Sequence, residues 1–196
     1  KNILNQTGFH NSPFVGSAHD YFMDQSNGLF NLSFDVAGPV TLAHPYAYYG
    51  ANDDSNGDDS HPEEMVIEAC KAIAGTTDFS KYDWDNDGEV EQVFIVYAGH
   101  GEADYDNPDL IWPHKWSLSA SPHKRALKIG GEKINVYACA SELSHTGNIA
   151  GIGAFCHEFS HCLGLPDMYN TSNTMDNGIG YNSLMAAGSY LGGGCC

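Results

Sequence analysis

Positive charge is scarce in this sequence. It has 8 lysines and arginines against 25 aspartates and glutamates, so the formal net charge is -17 at pH 7. A surface with this balance repels nucleic acid and anionic membranes, and it suits a protein that collects divalent cations. We therefore exclude nucleic-acid binding as the function of this chain.

The sequence also has no long apolar run and no C-x-x-C pair of cysteines. No stretch reaches the roughly 20 apolar residues of a membrane-spanning helix, and no basic segment followed by an apolar one marks a signal peptide. Because the first residue is Lys1, we expect the sequence to begin inside a longer precursor. No C-x-x-C pair indicates a zinc ribbon. The six cysteines allow disulfides without fixing which of them pair: Cys70, Cys139, Cys156, Cys162, Cys195 and Cys196.

The residues that are present indicate one globular domain of helices and strands. The chain has 196 residues, of which 42% are hydrophobic, enough for one core. Helical periodicity and capping signals predict helices in residues 17–25, 60–75 and 148–164, the second with a capping box of Ser60 and Glu63. Residues 93–98 read as a strand buried on both faces and residues 132–141 as another, while 29–42 carry a hairpin-like signal. Such a mixture is typical of an α/β or α+β domain.

A short histidine-rich segment carries the chemistry. Residues 153–169 read GAFCHEFSHCLGLPDMY. On a helix, His157 and His161 lie one turn apart on one face, so both imidazoles can reach one ion. Glu158 then points beside that ion, where a general base would hold the attacking water. The alternative is a pair of ordinary histidines with an incidental glutamate, but the glycine and aspartate that follow favour a zinc site.

A catalytic zinc site needs a third protein ligand. No histidine or glutamate follows His161, so Asp167 and Asp176 are the candidates on that side. Gly164 can adopt the left-handed conformation that turns the chain sharply after a helix, and Asp167 follows that turn. We therefore predict Asp167 as the third ligand. The upstream alternatives are His100, His114 and His145.

The segments HEFSHCLGLPDMY and SLMAAGSY closely resemble the immune-inhibitor-A-like metallopeptidases, a metzincin-related group of secreted bacterial zinc endopeptidases. The long metzincin pattern ends in histidine, whereas this group's version ends in aspartate, as Asp167 does here. Three further stretches extend the resemblance over nearly the whole chain: DYFMDQSNGLFNLSFDVAGPVTL, FSKYDWDNDGEVEQVFIVYAGHGEAD and IWPHKW.

The resemblance implies an α+β, metzincin-type catalytic domain. Its α/β-like upper subdomain, residues 1–164 approximately, would hold a twisted, mainly parallel sheet, a backing helix and the active-site helix. The lower subdomain, residues 165–196, normally ends with a further helix that this sequence does not reach. Met185 would be the methionine of the turn beneath the metal, with an ordinary core methionine as the alternative. Several metzincins place an oxyanion-stabilising tyrosine at the position of Ala187, so Tyr190 is only a candidate for that role.

A second motif, DWDNDGEVEQ, resembles the start of an EF-hand calcium loop. Asp83, Asp85 and Asp87 stand at alternate positions before a glycine. Phe94 replaces the usual bidentate glutamate at position twelve, so the backbone carbonyl of Glu89 and the side chain at position nine would have to help. That side chain is Glu91. The predicted ion is a structural Ca²⁺, and an acidic turn without an ion is the alternative.

The leading hypothesis is a zinc metalloendopeptidase that acts on peptide or protein substrates with Glu158 as general base. A calcium-stabilised binding or adhesion module with a vestigial protease site is the alternative from another class, and a zinc hydrolase of small amides or esters is a third. Extracellular calcium is plentiful, so we expect a secreted or cell-surface protein. No feature of the sequence specifies an oligomeric state.

Overall fold

The computed structural model describes residues 1–172, 176 and 178–195. The chain divides into two compact units. One, called the HExxH unit, combines Lys1–Val36 with Ile149–Cys196, and the other, called the sheet unit, is Ala37–Asn148. The upper and lower subdomains stay a prediction, and residues on both sides of their expected boundary at about 164 belong to the HExxH unit.

The described residues form helices and short strands, which confirms the α+β class. The helices are α1 (Asn2–Asn5), α2 (Ala18–Gln25), α3 (Tyr46–Gly50), α4 (Pro62–Ile73), α5 (Glu102–Tyr105) and α6 (Ile152–Cys162), with 3₁₀ turns at Phe79–Tyr82, Gly180–Asn182 and Ala187–Gly193. The strands are β1 (Glu89–Val90), β2 (Val93–His100), β3 (His114–Ser117), β4 (Leu127–Ile129), β5 (Glu132–Ile134) and β6 (Val136–Leu143). None of the described helices combines the length and apolar character needed to cross a bilayer.

Helix α2 begins as its sequence predicts. The Ser17 side chain accepts the Asp20 backbone N–H at 3.1 Å, and the Asp20 carboxylate accepts the Ser17 N–H at 3.0 Å. The same carboxylate accepts the N–H groups of Gly8 and Phe9. One side chain therefore caps the helix and holds the N-terminal segment against it.

Helix α6 is held by its apolar side and by close backbone contacts. Phe155 and Phe159 each pack edge-on against Phe34, with ring centroids 5.1 and 5.2 Å apart, and Phe22 is tilted against Phe159 at 5.2 Å. At the helix start, a Cβ on Gly153 would lie only 1.9 Å from the Ser189 carbonyl oxygen. Glycine is therefore required there for the helix to pack against the C-terminal segment.

The sheet unit contains two three-stranded sheets of mixed direction, ordered β1-β5-β4 and β2-β6-β3. In each sheet one pair is parallel (β1 with β5, β2 with β6) and the other is antiparallel. Helix α4 buries Met65, Val66, Ile67 and Cys70 in the apolar core of this unit. The prediction of a mainly parallel sheet is therefore wrong, because two of these four strand pairs are antiparallel.

Three local predictions are also wrong. Residues 29–42 form no strand, because the Asn5 side chain bonds both the N–H and the C=O of Phe34 in place of a partner strand. The capping box at α4 does not form, since the helix begins at Pro62 and the Ser60 hydroxyl donates to the Ala51 carbonyl. Strand β2 is not buried on both faces, because Val96 is 55% exposed.

Candidate metal centre

Helix α6 presents the two predicted histidine ligands from one face. His157 and Glu158 are each 8% exposed. The helix ends beside Gly164, whose φ of +91° is the left-handed conformation that the sequence predicts. The Leu165 N–H then bonds back to the Ser160 carbonyl at 3.1 Å, which closes the turn.

Backbone carbonyls orient both imidazoles. The Nδ1 atom of His157 lies 2.8 Å from the Leu184 carbonyl oxygen, and Nδ1 of His161 lies 2.7 Å from that of Leu165. A carbonyl only accepts, so each Nδ1 carries the hydrogen and each neutral ring leaves Nε2 as a bare lone pair. Burial lowers the pKa of His157, which favours this neutral form.

Asp167 joins the two imidazoles after the turn. Its Oδ1 atom lies 3.2 Å from Nε2 of His157 and 3.2 Å from Nε2 of His161, and the two Nε2 atoms are 3.1 Å apart. Glu158 Oε1 is 4.0 Å from Nε2 of His157. We call these four residues, His157, Glu158, His161 and Asp167, the HExxH cluster.

The three converging atoms fit a metal ion. Asp167 Oδ1 is buried and has no hydrogen-bond partner, and when both imidazoles are neutral neither Nε2 atom has a hydrogen to donate to it. Three bare lone pairs in contact are unfavourable unless a cation lies among them. For zinc bonds of about 2.0–2.1 Å, the edge of a coordination tetrahedron is about 3.3 Å, close to the observed triangle. The residues present therefore fit a zinc ion.

Glu158 stands apart from that triangle. Burial raises its pKa to about 8, with the charge of Asp167 as the second cause. A carboxyl whose pKa lies near the working pH can both take up and release a proton. One ligand atom each of His157, Glu158 and His161 lies within 4.8 Å of the others, and the role of Glu158 as general base stays a prediction.

Met185 lies in the turn that supports the cluster. It is buried, its carbonyl accepts the Met168 N–H at 2.7 Å, and the preceding carbonyl of Leu184 is the one that orients His157. Its role as the methionine of the turn beneath the metal stays a prediction.

Tyr169 was missed by the sequence reasoning. The charges of Asp167 and Glu158 both act on its hydroxyl. Burial first and these neighbours next raise the pKa of Tyr169 to about 12. The predicted candidate Tyr190 is a neighbour of Tyr169 and is 53% exposed.

The alternative ligands belong to the other unit or have other hydrogen-bond partners. His100 and His114 belong to the sheet unit, as does His145. Both ring nitrogens of His114 have partners, the Trp112 carbonyl at 2.7 Å and the Tyr137 hydroxyl at 3.1 Å. The carboxylate of Asp176 accepts the Gly178 N–H at 3.1 Å.

The predicted calcium ligands form a loop, residues 83–91, that we call the DWDNDG loop. One ligand atom each of Asp83, Asp85 and Glu91 lies within 4.8 Å of the others, and Asp87 and Glu89 are not in that group. The loop carboxylates accept backbone N–H groups, including two on Asp83, and Gly88 makes the sharp turn with φ +83°.

The disulfide question stays open. Cys196 lies outside the described residues, and Cys70 and Cys156 are buried thiols whose pKa values burial raises.

An α+β chain with this cluster defines a class of protein, the metallopeptidase catalytic domains. The comparison with protein families agrees with that class. The sequence model of the family described as "Immune inhibitor A peptidase M6, catalytic domain" matches residues 3–196, so the chain belongs to the immune inhibitor A peptidases.

Curated relatives carry matching names. The pre-pro-metalloprotease PrtV of Vibrio cholerae serotype O1 is 28% identical over 211 aligned residues, which cover 95% of this chain and 22% of that protein. Immune inhibitor A of Bacillus thuringiensis subsp. alesti is 27% identical over 198 residues, covering 89% of this chain and 28% of the relative. The chain thus spans about a quarter of the length of these relatives.

Proposed function

We propose that this chain is the catalytic domain of a zinc-dependent metalloendopeptidase, with His157, His161 and Asp167 as the metal ligands. The observation that carries the proposal is the triangle of the two Nε2 atoms and Asp167 Oδ1, 3.1–3.2 Å on a side, in which the buried Oδ1 has no hydrogen-bond partner. Two imidazole nitrogens and one carboxylate oxygen are ligands that suit zinc. Membership of a peptidase family supports the choice of reaction.

The residues of the chain divide the work of peptide hydrolysis. A zinc ion held in this site would act as a Lewis acid. It would polarise the scissile carbonyl and lower the pKa of water. Glu158 takes the proton of the attacking water and passes it to the leaving amine. Its place beside His157, 4.0 Å from Nε2, leaves it free of the ligand set and within reach of a water there.

Metal analysis joined to a protease assay tests the proposal. The expected result is about one zinc per chain, cleavage of casein, loss of cleavage with a zinc chelator, and recovery when zinc is added back. A folded protein that binds zinc but cleaves neither casein nor a peptide library would favour the binding module with a vestigial site. Cleavage of small amides or esters alone would favour the third hypothesis.

Two further parts of the proposal concern the location of the protein and a calcium ion. We place the protein outside the cell, as secreted or surface-attached; the name pre-pro-metalloprotease of the Vibrio cholerae relative supports this. Detection of the protein in culture medium rather than in cells is the test. A calcium ion in the DWDNDG loop also stays a prediction, supported only by the proximity of Asp83, Asp85 and Glu91.

A further inference from the structure

Positive charge is concentrated in one segment of the sheet unit. Five of the eight lysines and arginines of the chain lie in residues 115–133, which contain one acidic residue, Glu132. This segment therefore has a formal charge of +4, whereas the rest of the chain has -21. A patch of one sign on a surface of the opposite sign attracts its own class of partner, here one with anionic groups.

The fold gathers four of these cations around the hairpin of β4 and β5. We call them the basic hairpin: Lys124, Arg125, Lys128 and Lys133. All four residues are exposed. Lys128 and Lys133 are partners in the antiparallel register, so their Cβ atoms are about 5 Å apart on one face of the sheet. Lys124 and Arg125 precede β4, and the chain places them within about 14 Å of Lys128.

The charges of the basic hairpin are not neutralised inside the protein. Among the described residues, every close contact between a basic and an acidic side chain involves a histidine. Glu132 is next to Lys133 on β5 and therefore points to the opposite face of the sheet. The register partner of Lys133 on β1 is Glu89, which lies on the side away from Lys128. The two opposed lysines repel each other, and an acidic group from a partner would relieve that repulsion.

The strand order β1-β5-β4 determines where a partner can approach. The acidic DWDNDG loop leads into β1 at one edge of this sheet, and β4 is the other edge, about 10 Å away. No described strand pairs with the outer side of β4. Alternate residues of an antiparallel edge strand direct their N–H and C=O groups outward. An extended peptide can therefore pair with this edge while its acidic side chains contact the lysines.

A short acidic peptide fits this surface better than a large polyanion does. Exposed charges are largely screened beyond a Debye length, which is about 8 Å at physiological ionic strength. A peptide segment that contacts only the basic hairpin therefore experiences mainly its positive charge. A nucleic acid or an anionic membrane extends over many such lengths, so it would also meet the acidic remainder of the surface, which repels it.

We propose that the basic hairpin is a docking surface for an extended, acidic peptide segment of a partner protein. The inference goes beyond the proposed function and does not depend on the metal centre. Carboxylates of the peptide pair with Lys128 and Lys133 on the hairpin and with Lys124 and Arg125 beside it. Exposed ion pairs are individually weak, so removing one of these charges should weaken peptide binding by about 2–5-fold.

Fluorescence anisotropy with a dye-labelled hexaglutamate peptide measures this binding, and hexaglutamine is the neutral control probe. Lys128→Gln and Lys133→Gln should each weaken hexaglutamate binding by about 2–5-fold, and the double variant should weaken it further. Lys71→Gln and Lys81→Gln, at exposed lysines elsewhere in the sheet unit, change the net charge equally and should keep the wild-type affinity. Mass spectrometry after each titration verifies that the probe is intact.

Thermal stability separates a loss of charge from damage to the fold. Each hairpin substitution removes one of two opposed positive charges, so the thermal midpoint should equal or exceed that of the wild type. An absence of saturable hexaglutamate binding at low salt, or an equal loss in Lys71→Gln and Lys128→Gln, overturns the inference. Tighter binding to phosphatidylserine vesicles than to hexaglutamate, with the same dependence on Lys128 and Lys133, overturns it as well, because the surface would then suit a membrane.

Discussion

The HExxH cluster and the DWDNDG loop both bring ligand atoms close together, but those atoms have different neighbours. In the loop, the carboxylate of Asp83 accepts backbone N–H groups at 3.0 Å, and Glu91 Oε1 accepts another at 2.6 Å. In the cluster, Nε2 of His157, Nε2 of His161 and Oδ1 of Asp167 lie 3.1–3.2 Å apart, and two neutral imidazoles whose Nδ1 atoms bond to carbonyls have no hydrogen to share among these three atoms.

This difference separates a site that requires a cation from a loop that can form without one. A buried polar atom without a partner costs about 1–3 kcal/mol, and more when it is charged. The loop leaves Glu91 Oε2 in that state, while its other contacts are satisfied by the backbone. We therefore expect metal to dominate the behaviour of the cluster and to have a smaller effect on the loop.

The largest expected effect is on peptide cleavage, after substitution of Glu158. This residue of the HExxH cluster contributes no atom to the triangle of the two Nε2 atoms and Asp167 Oδ1. Glu158→Gln removes the proton acceptor but keeps the shape of the side chain, so peptide cleavage should fall by about 10²–10⁴-fold. Zinc affinity should stay at the wild-type level, because Glu158 is not a ligand in this arrangement. Casein cleavage and chelator competition measure the two quantities on the same preparation.

The matched control is Glu142→Gln, at an exposed glutamate of the sheet unit. It should leave both cleavage and zinc binding unchanged. If Glu158→Gln retained full cleavage, the assignment of the general base would be wrong, whereas loss of zinc would mean that Glu158 is itself a ligand.

A second change tests the triangle directly. Asp167→Ala should weaken zinc binding by more than about 100-fold, since losing a partner behind a ligand alone costs about 10–100-fold. The metal-free protein should be no less stable than the wild type, because the substitution removes the buried Oδ1 atom, which has no hydrogen-bond partner. Chelator competition and denaturant unfolding without metal give the two values.

Asp176→Ala is the control for this change, since Asp176 is the other aspartate that follows the helix. It should leave zinc affinity unchanged. Equal zinc affinity in Asp167→Ala and the wild type would show that a different residue completes the site.

The sequence predicts the cluster well because its geometry is local. Spacing on one helix determines that His157 and His161 share a face, and Gly164 supplies the turn that returns Asp167 to them. The carbonyls of Leu165 and Leu184 could not be predicted, since a backbone carbonyl has no sequence signature. They are as necessary as the ligands, because they fix the tautomer of each imidazole.

The failed predictions share a different cause. The side chain that satisfies Phe34 comes from Asn5, 29 residues earlier, and the group that binds the Ser60 hydroxyl is the Ala51 carbonyl. Each competitor is distant in sequence and close in space. Local patterns of alternation and capping cannot reveal such partners, so tertiary contacts override them.

Asp59 is a buried carboxylate of the sheet unit. It is intermediate between the cluster and the loop in how far hydrogen-bond donors satisfy it. Asp59 accepts the Trp112 N–H at 3.1 Å, and its side chain is 5% exposed. Burial raises its pKa to about 7, with smaller contributions from the charges of Glu102 and Asp58, although the Trp112 bond lowers it. Burial also lowers the pKa of His114, so the 3.9 Å contact between Asp59 and His114 is not an ion pair.

This pKa predicts a pH dependence of stability. Between pH values of about 4 and 7 the folded protein keeps the Asp59 proton that the unfolded chain has released, so the free energy of unfolding falls as pH rises through that window and then levels off. Asp59→Asn lacks the titrating group. Relative to the wild type it should therefore gain stability from pH 5 to pH 8, by no more than about 2.7 kcal/mol, since about two pH units separate pH 5 from this pKa.

Denaturant unfolding at pH 5 and pH 8 measures this difference. Asp109→Asn, at an exposed aspartate of the same unit, is the control and should track the wild type at both values. Parallel curves for Asp59→Asn and the wild type would mean that Asp59 is ionised in the fold.

The smallest effect is expected at the DWDNDG loop, where Asp83→Asn tests whether the loop differs from the cluster as its hydrogen bonds indicate. The substitution replaces one of the two oxygens that accept the N–H groups of Asp87 and Gly88, so it should cost about 1 kcal/mol of unfolding free energy without calcium.

If calcium binds the wild-type loop, that cost should grow with calcium, by about 2.7 kcal/mol at a hundred times the dissociation constant. Unfolding in chelator and in millimolar calcium gives both values. An equal cost in the two conditions would identify the loop as an acidic turn held by its backbone alone, and the requirement for a cation would then belong to the HExxH cluster.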